Sequence, residues 1–98
     1  MENKGIVKKV DYLLNKSISK KCDDDDIKLI VSYLGEHSDH AILGKVFGYS
    51  VSDYAFATLK WIGSEKTVSV FNKYYDKLSE ERKNSINNLI KSNYYLQY

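Results

Sequence analysis

The chain has 98 residues, 43% of them hydrophobic, and a formal net charge of +2, which is the size and composition of one globular domain. The charge is too balanced to indicate nucleic-acid binding by itself, and a single cysteine excludes an internal disulfide. Because no apolar run approaches the ~18 residues of a membrane span, we expect one soluble, cytoplasmic domain over residues 1–98.

Apolar residues at helical spacing predict a first helix over Lys4–Lys16, followed by a polar and basic loop. Four consecutive aspartates, Asp23–Asp26, then introduce a second helix, about Asp25–Leu34, with a continuous apolar stripe. Gly35 follows it and suits the left-handed position that ends many helices.

A third helix is predicted to begin near Ser38 and to end at Gly48. The fourth begins at Ser50 or Ser52, and Ser50 with Asp53 resembles a capping box in which Asp replaces the usual Glu. Gly63 is expected to end this fourth helix.

Ser64 is the predicted N-cap of a fifth helix that extends to about Lys77. A strand over Val68–Phe71 is the less favoured alternative, since the apolar pattern continues at helical spacing beyond it. Ser79 introduces a sixth helix, and the tyrosine-rich tail, Asn93–Tyr98, is expected to pack back on the domain.

A helix–glycine–helix pattern occurs twice, around Gly35 and around Gly63. Repeated units of this kind indicate helical hairpins that stack on one another and present a binding surface. The predicted fold class is therefore all-α, with about six helices in antiparallel hairpins.

The acidic run, Asp23–Asp26, has three interpretations. The simplest is a solvated loop that caps the second helix. A calcium loop needs alternating oxygen ligands and a glycine at fixed spacing, and the sequence lacks both. The third interpretation is an anionic patch that meets a basic partner and mimics phosphate charge.

No enzyme is predicted. The segment His37–His40 contains the side-chain types of a hydrolase triad, but adjacent residues at a helix start do not supply the convergent geometry. The same histidines with Asp39 are too few to predict a metal site, and no cofactor is expected. Neighbouring lysines could lower the pKa of Cys22, although no base partners it in the sequence.

A nucleic-acid-associated helical module is the main alternative function. Lys20 and Lys21 could join other lysines on one face, and aromatic residues alternate with lysines over Lys73–Lys77. Because acidic residues are mixed into every segment, we interpret these lysines as a solvated face and consider nucleic acid an improbable partner.

Two family resemblances follow from particular segments. Tyr54–Phe71, with Leu78–Arg82 and Ile86–Leu89, resembles a HEAT-like repeat, in which Arg82 takes the place of the basic residue that opens the next helix. The whole chain is similar to the small immunity proteins of bacterial contact-dependent growth inhibition systems, including an all-helical Yersinia type that neutralises an RNase A-like toxin. Length, the acidic run and the many tyrosines carry this second likeness.

The resemblance implies a protein that binds a cognate toxin, with a basic nuclease domain as its partner, and occludes the active site of that toxin. Carboxylates would take the positions of RNA phosphates, and aromatic side chains would supply buried contact area. For the aromatic residues, a place in the core is the alternative interpretation. The predicted partner-binding residues are Asp23, Asp24, Asp25, Asp26, Glu36, Asp39, Asp53, Tyr33, Tyr54 and Trp61. Glu36, Asp39 and Asp53 extend the acidic run, because successive helix starts are expected to lie along one edge of the stack.

Overall fold

The computed structural model describes residues 2–36, 45–46 and 48–97. Helices make up most of these ranges, which confirms the all-α prediction at its coarse level, and none of the helices described is long and apolar enough to cross a membrane. In chain order the elements are α1 (Glu2–Ser19), α2 (Asp24–Tyr33), β1 (Lys45–Val46), β2 (Tyr49–Ser50), α3 (Val51–Ile62), α4 (Glu65–Tyr75), α5 (Glu80–Ser92) and a 3-10 turn (Tyr94–Gln97).

Helix α3 forms the centre of the domain. Every residue of this helix except Lys60 is buried, because its sequence has no continuous polar face. Helices α1, α2, α4 and α5 all pack against it. Its buried hydroxyls are satisfied locally: Thr58 donates a hydrogen bond to the Leu13 carbonyl at 3.3 Å and lies 3.2 Å from the hydroxyl of Ser17.

The helices alternate in direction around α3. Lys20, just after α1, donates to the carbonyl of Trp61 near the end of α3, and the Trp61 indole donates to the carbonyl of Ile90 near the end of α5. The hydroxyl of Ser52, at the start of α3, donates to the carbonyl of Leu34 at the end of α2. Helices α1, α3 and α5 therefore run one way, and α2 runs the other.

Local capping signals were predicted correctly at several helix ends. Ser50 and Asp53 form the expected capping box at the start of α3. Gly63 ends α3 in the left-handed region at φ +69°, and Ser64 and Ser79 are the N-caps of α4 and α5.

The first helix extends beyond its predicted end, and the predicted left-handed conformation of Gly35 was wrong. Helix α1 continues through Ser17, whose buried hydroxyl donates to the Leu13 carbonyl at 2.9 Å, and ends at Ser19, before Lys20 with φ +58°. At the end of α2, Leu34 occupies the C-cap in the right-handed region, and Gly35 does not take a positive φ.

The third predicted helix is contradicted where the structure describes it. Lys45–Val46 forms a strand that pairs antiparallel with Tyr49–Ser50. Gly48, expected to end a helix, has φ +86° and lies in the tight turn between the two strands, where a positive φ is favoured. Residues 37–44 and 47 lie outside the described part of the chain. The described part contains five α-helices, compared with the six predicted.

The C-terminal residues pack back on the domain as predicted. The 3-10 turn contacts α1, and the Tyr94 ring lies 6.4 Å from the ring of Tyr54. Tyr95 covers Trp61 with its ring centroid at 4.9 Å.

Candidate protein-binding surface

The acidic run builds the start of α2. Asp23 is the N-cap, and its carboxylate accepts a hydrogen bond from the Asp26 N–H at 2.8 Å. In return, the Asp26 carboxylate accepts from the Asp23 N–H at 3.1 Å, which completes a capping box. Part of the run therefore stabilises the helix, as the first interpretation stated.

Asp26 also fastens α2 to α1. Its carboxylate accepts hydrogen bonds from the Tyr12 hydroxyl at 2.7 Å and from the Lys16 ammonium at 3.0 Å. These hydrogen bonds lower the pKa of Asp26 to about 2, and the bond from Tyr12 has the largest effect. Burial and the hydrogen bond to Asp26 raise the pKa of Tyr12. This carboxylate is held inside the chain and is poorly placed to meet a partner.

The two middle aspartates of the run, Asp24 and Asp25, face solvent. Asp24 forms an ion pair with Lys66 at the start of α4, although both side chains are largely exposed. The hydrogen bond from Lys66 lowers the pKa of Asp24. Asp25 is exposed and has no hydrogen bond or ion pair within the described residues. We define the acidic edge as the exposed carboxylates Asp23, Asp24, Asp25 and Glu65, the last beside Lys66.

A shallow surface hollow of about 460 Å³ adjoins the acidic edge and is lined by Glu65, Lys66, Ser69 and Val70 of α4. On α2, Leu29 is 39% exposed and lies one turn beyond Asp25. The acidic edge therefore has apolar surface beside it, and protein interfaces combine an apolar centre with a polar rim.

Glu36 and Asp53 do not join the acidic edge. Glu36 accepts from the Lys9 ammonium at 2.7 and 2.9 Å, and it lies at the far end of α2, where its carbonyl accepts from the Ser52 N–H. Asp53 is buried at the start of α3 and pairs with Arg82 at 3.1 Å. Each carboxylate already has a cation from its own chain.

Helix direction explains this separation. The sequence interpretation placed successive helix starts along one edge, and Asp39 was part of that set. Because α2 and α3 run in opposite directions, the start of α2 and the start of α3 lie at opposite ends of the domain. The predicted single edge is therefore corrected to one that combines the starts of α2 and α4, and Asp39 lies outside the described residues.

The predicted aromatic anchors are largely internal. Tyr54 is fully buried and Trp61 is 7% exposed, with its indole N–H bonded to a backbone carbonyl. Tyr33 keeps partial exposure, lies edge-on to Tyr12 at 6.4 Å and has the ammonium of Lys9 over its ring at 5.4 Å. Burial gives Tyr54 and Trp61 a packing role, and we leave both out of the surface.

Of the groups considered for chemistry, the structure describes only Cys22. Cys22 is half-buried, and burial together with Asp26 raises the pKa of its thiol, the opposite of the expected lowering. His37 and His40 lie outside the described residues. In the ranges the structure covers, no three His, Cys, Asp or Glu side chains are grouped to hold a metal ion.

Sequence reasoning overlooked an exposed apolar area at α1 and the 3-10 turn. Val7, Ile18 and Leu96 are 52%, 51% and 70% exposed. Val7 and Ile18 are three helical turns apart and share a face outside the main apolar stripe, so the sequence held a signal for that face.

Comparison with known proteins gave no match to a family model, to a curated protein or to a solved structure.

Proposed function

We propose that this chain is an immunity protein that binds a cognate toxin, with a basic ribonuclease domain as the favoured partner, and acts in the cytoplasm. The acidic edge carries this proposal. Its four carboxylates are exposed, whereas Asp26, Glu36 and Asp53 are held by tyrosine, lysine or arginine of the same chain. Asp25 and Glu65 form no ion pair or hydrogen bond within the described residues, and exposed charge of one sign steers a partner of the opposite sign and fixes its orientation.

Inhibition would occur by occlusion. Carboxylates of the acidic edge would occupy the positions of RNA phosphates in the toxin and exclude its substrate. The exposed pair between Asp24 and Lys66 contributes little to stability, because solvent screens both groups. An arginine or lysine of the toxin could therefore replace Lys66 at small cost, while Leu29 and Val70 supply apolar contact.

The proposal includes the finer description of the fold as HEAT-like hairpins. Helices α1 and α2 run antiparallel, and so do α3 and α4, whose rings Phe56 and Phe71 meet edge-on at 5.9 Å after the turn at Gly63. These two hairpins, the second of which contains the central helix α3, would hold the starts of α2 and α4 at one end of the domain as a rigid platform.

The direct test uses the toxin domain encoded beside this chain. We expect co-expression to protect cells from it and the two purified proteins to form a stable complex. Asp25→Lys should slow association and weaken binding about tenfold at low salt, and it should also reduce the salt dependence of binding.

Glu81→Lys is the matched control. Glu81 is exposed and is the second residue of α5, as Asp25 is of α2, so both substitutions reverse one charge in a first helical turn. If the two variants weaken binding equally, the acidic edge is not the interface. If the neighbouring gene product is not toxic or does not bind, the immunity function itself is wrong.

The alternative functions are a small nucleic-acid-associated helical module and another kind of protein-interaction adaptor. Lys73 lies over the ring of Tyr74 and Lys83 over that of Tyr75, which gives the α4 side a mixed basic and aromatic surface. Filter binding with RNA and DNA across salt concentrations separates these classes. Tight binding with a steep negative salt slope would favour the nucleic-acid module.

A further inference from the structure

The outer face of α1 carries an exposed stripe that the proposed toxin binding does not use. Val7 and Ile18 mark its two ends, each about half exposed and three helical turns apart. Asp11 and Asn15 lie between them, and the Asn15 amide donates to the Asp11 carboxylate at 3.3 Å. Along the helix the order is apolar, acidic, amide, apolar.

We propose that a second copy of this chain pairs with this face, with the two α1 helices antiparallel around a two-fold axis. Val7 of each copy then meets Ile18 of the other, and Asp11 meets Asn15. Both pairings place the axis at the level of Tyr12 and Leu13, so a single register satisfies them all. Such an interface is self-complementary, as two-fold symmetry requires.

The surface around Ile18 has room for the opposing side chain. Ile18, Lys20, Tyr95 and Leu96 line a hollow of about 240 Å³, and Leu96 is 70% exposed at its edge. In the antiparallel pair, Val7 of the second copy enters this hollow. A broader depression of about 550 Å³ continues along α1 and includes Asp11, Asn15 and Ile18 among its lining residues.

The length of α1 limits the area of this interface. Eighteen residues give a helix about 27 Å long, and one such helix pair buries on the order of 1,000 Å² in total. That area is at the lower limit of specific interfaces, and we expect dissociation constants in the micromolar range.

Sedimentation equilibrium from about 1 µM to about 1 mM tests the dimer directly. The unmodified chain should pass from monomer to dimer, and Ile18→Asp should weaken the dimer at least tenfold. Leu29→Asp is the matched control, because Leu29 is an exposed leucine on α2, away from the proposed interface. A monomer at all concentrations, or an equal effect of the control, would overturn the proposal.

The register has its own test. In N15D, the new carboxylate at position 15 of each copy faces Asp11 of the other copy. The two repulsions, one on each side of the axis, should weaken the dimer at least tenfold. Adding D11K to N15D replaces both repulsions with attractions and should restore the dimer to within about threefold of the unmodified chain. Circular dichroism confirms that each variant is folded. If the double variant stays as weak as N15D, the proposed antiparallel register is wrong.

Discussion

At the residue scale, Asp26 shows how one carboxylate can be committed to the fold. It accepts hydrogen bonds from Tyr12, Lys16 and the N–H of Asp23. The sequence indicated the capping role, because that contact is local, but two of the three donors come from α1, more than nine residues earlier. Contacts across such separations depend on helix packing, and no pattern within the acidic run predicts them.

This arrangement predicts a defined acid sensitivity. The pKa of Asp26 is about 2 in the folded chain and about 3.9 in an unfolded one, so the ionised form stabilises the folded state. The stabilisation is complete above about pH 4 and is lost as the pH falls through about 2. We expect Asp26→Asn to be less stable than the unmodified chain at pH 6 and the difference to shrink across that window.

Urea unfolding followed by circular dichroism at several pH values between 6 and 2 measures this difference. Asp25→Asn is the control. Asp25 also lies in the first turn of α2, but its carboxylate has no hydrogen bond or ion pair within the described residues. A gap between Asp26→Asn and the unmodified chain that does not change with pH would contradict the assigned role of the Asp26 charge.

At the scale of elements, the two glycines of the repeated pattern behave differently. Gly63 takes φ +69° after α3, and a Cβ there would lie 3.4 Å from the Lys60 carbonyl oxygen. Gly35 has no positive φ, and a Cβ added there meets nothing within 4 Å. The segment after α2 is instead held in place by a hydrogen bond from the Ser52 N–H to the Glu36 carbonyl at 3.1 Å.

Alanine at each glycine should therefore have opposite consequences. Gly63→Ala forces a side chain into the left-handed region and should lower the free energy of unfolding by about 1–2 kcal/mol. Gly35→Ala reduces the entropy of the unfolded chain without strain and should be neutral or stabilising by up to about 1 kcal/mol. Thermal and urea unfolding of both variants measure this, and equal losses would show that the two glycines share one role.

Prediction from sequence succeeded for elements whose signals are local. The capping box of Ser50 and Asp53 and the serine caps of α4 and α5 depend on contacts within one helical turn. The strand pair at Lys45–Val46 was missed, since two-residue strands carry almost no periodic signal. Burial of α3 on all sides was also underestimated, because Tyr54 and Trp61 were predicted to bind a partner.

At the scale of the whole molecule, helix direction decides which residues share a surface. The sequence identified the acidic residues at helix starts. It did not show at which end of the domain each helix starts, because that depends on how the helices pack. The ion pair between Asp24 and Lys66 joins the starts of α2 and α4, and Asp53 with Arg82 joins those of α3 and α5. The acidic edge is a consequence of this arrangement.

The same packing makes the C-terminal 3-10 turn a cover over the core. Trp61 is 7% exposed because the ring of Tyr95 lies over it at 4.9 Å. Lys20 links the two, donating to the Trp61 carbonyl at 2.6 Å and lying 4.9 Å from the centroid of the Tyr95 ring. Removal of this ring should let solvent reach the indole.

We therefore expect Tyr95→Ala to shift the fluorescence of Trp61 to longer wavelength, to increase its quenching by acrylamide and to lower the free energy of unfolding by about 1–3 kcal/mol. Trp61 is the only tryptophan in the sequence, so its emission reports this site alone. Leu96→Ala is the control from the same turn, because Leu96 is 70% exposed and should leave the emission unchanged. Unchanged emission in Tyr95→Ala would mean that Trp61 is shielded by α5 and not by the turn, since its indole N–H already bonds the Ile90 carbonyl at 3.1 Å.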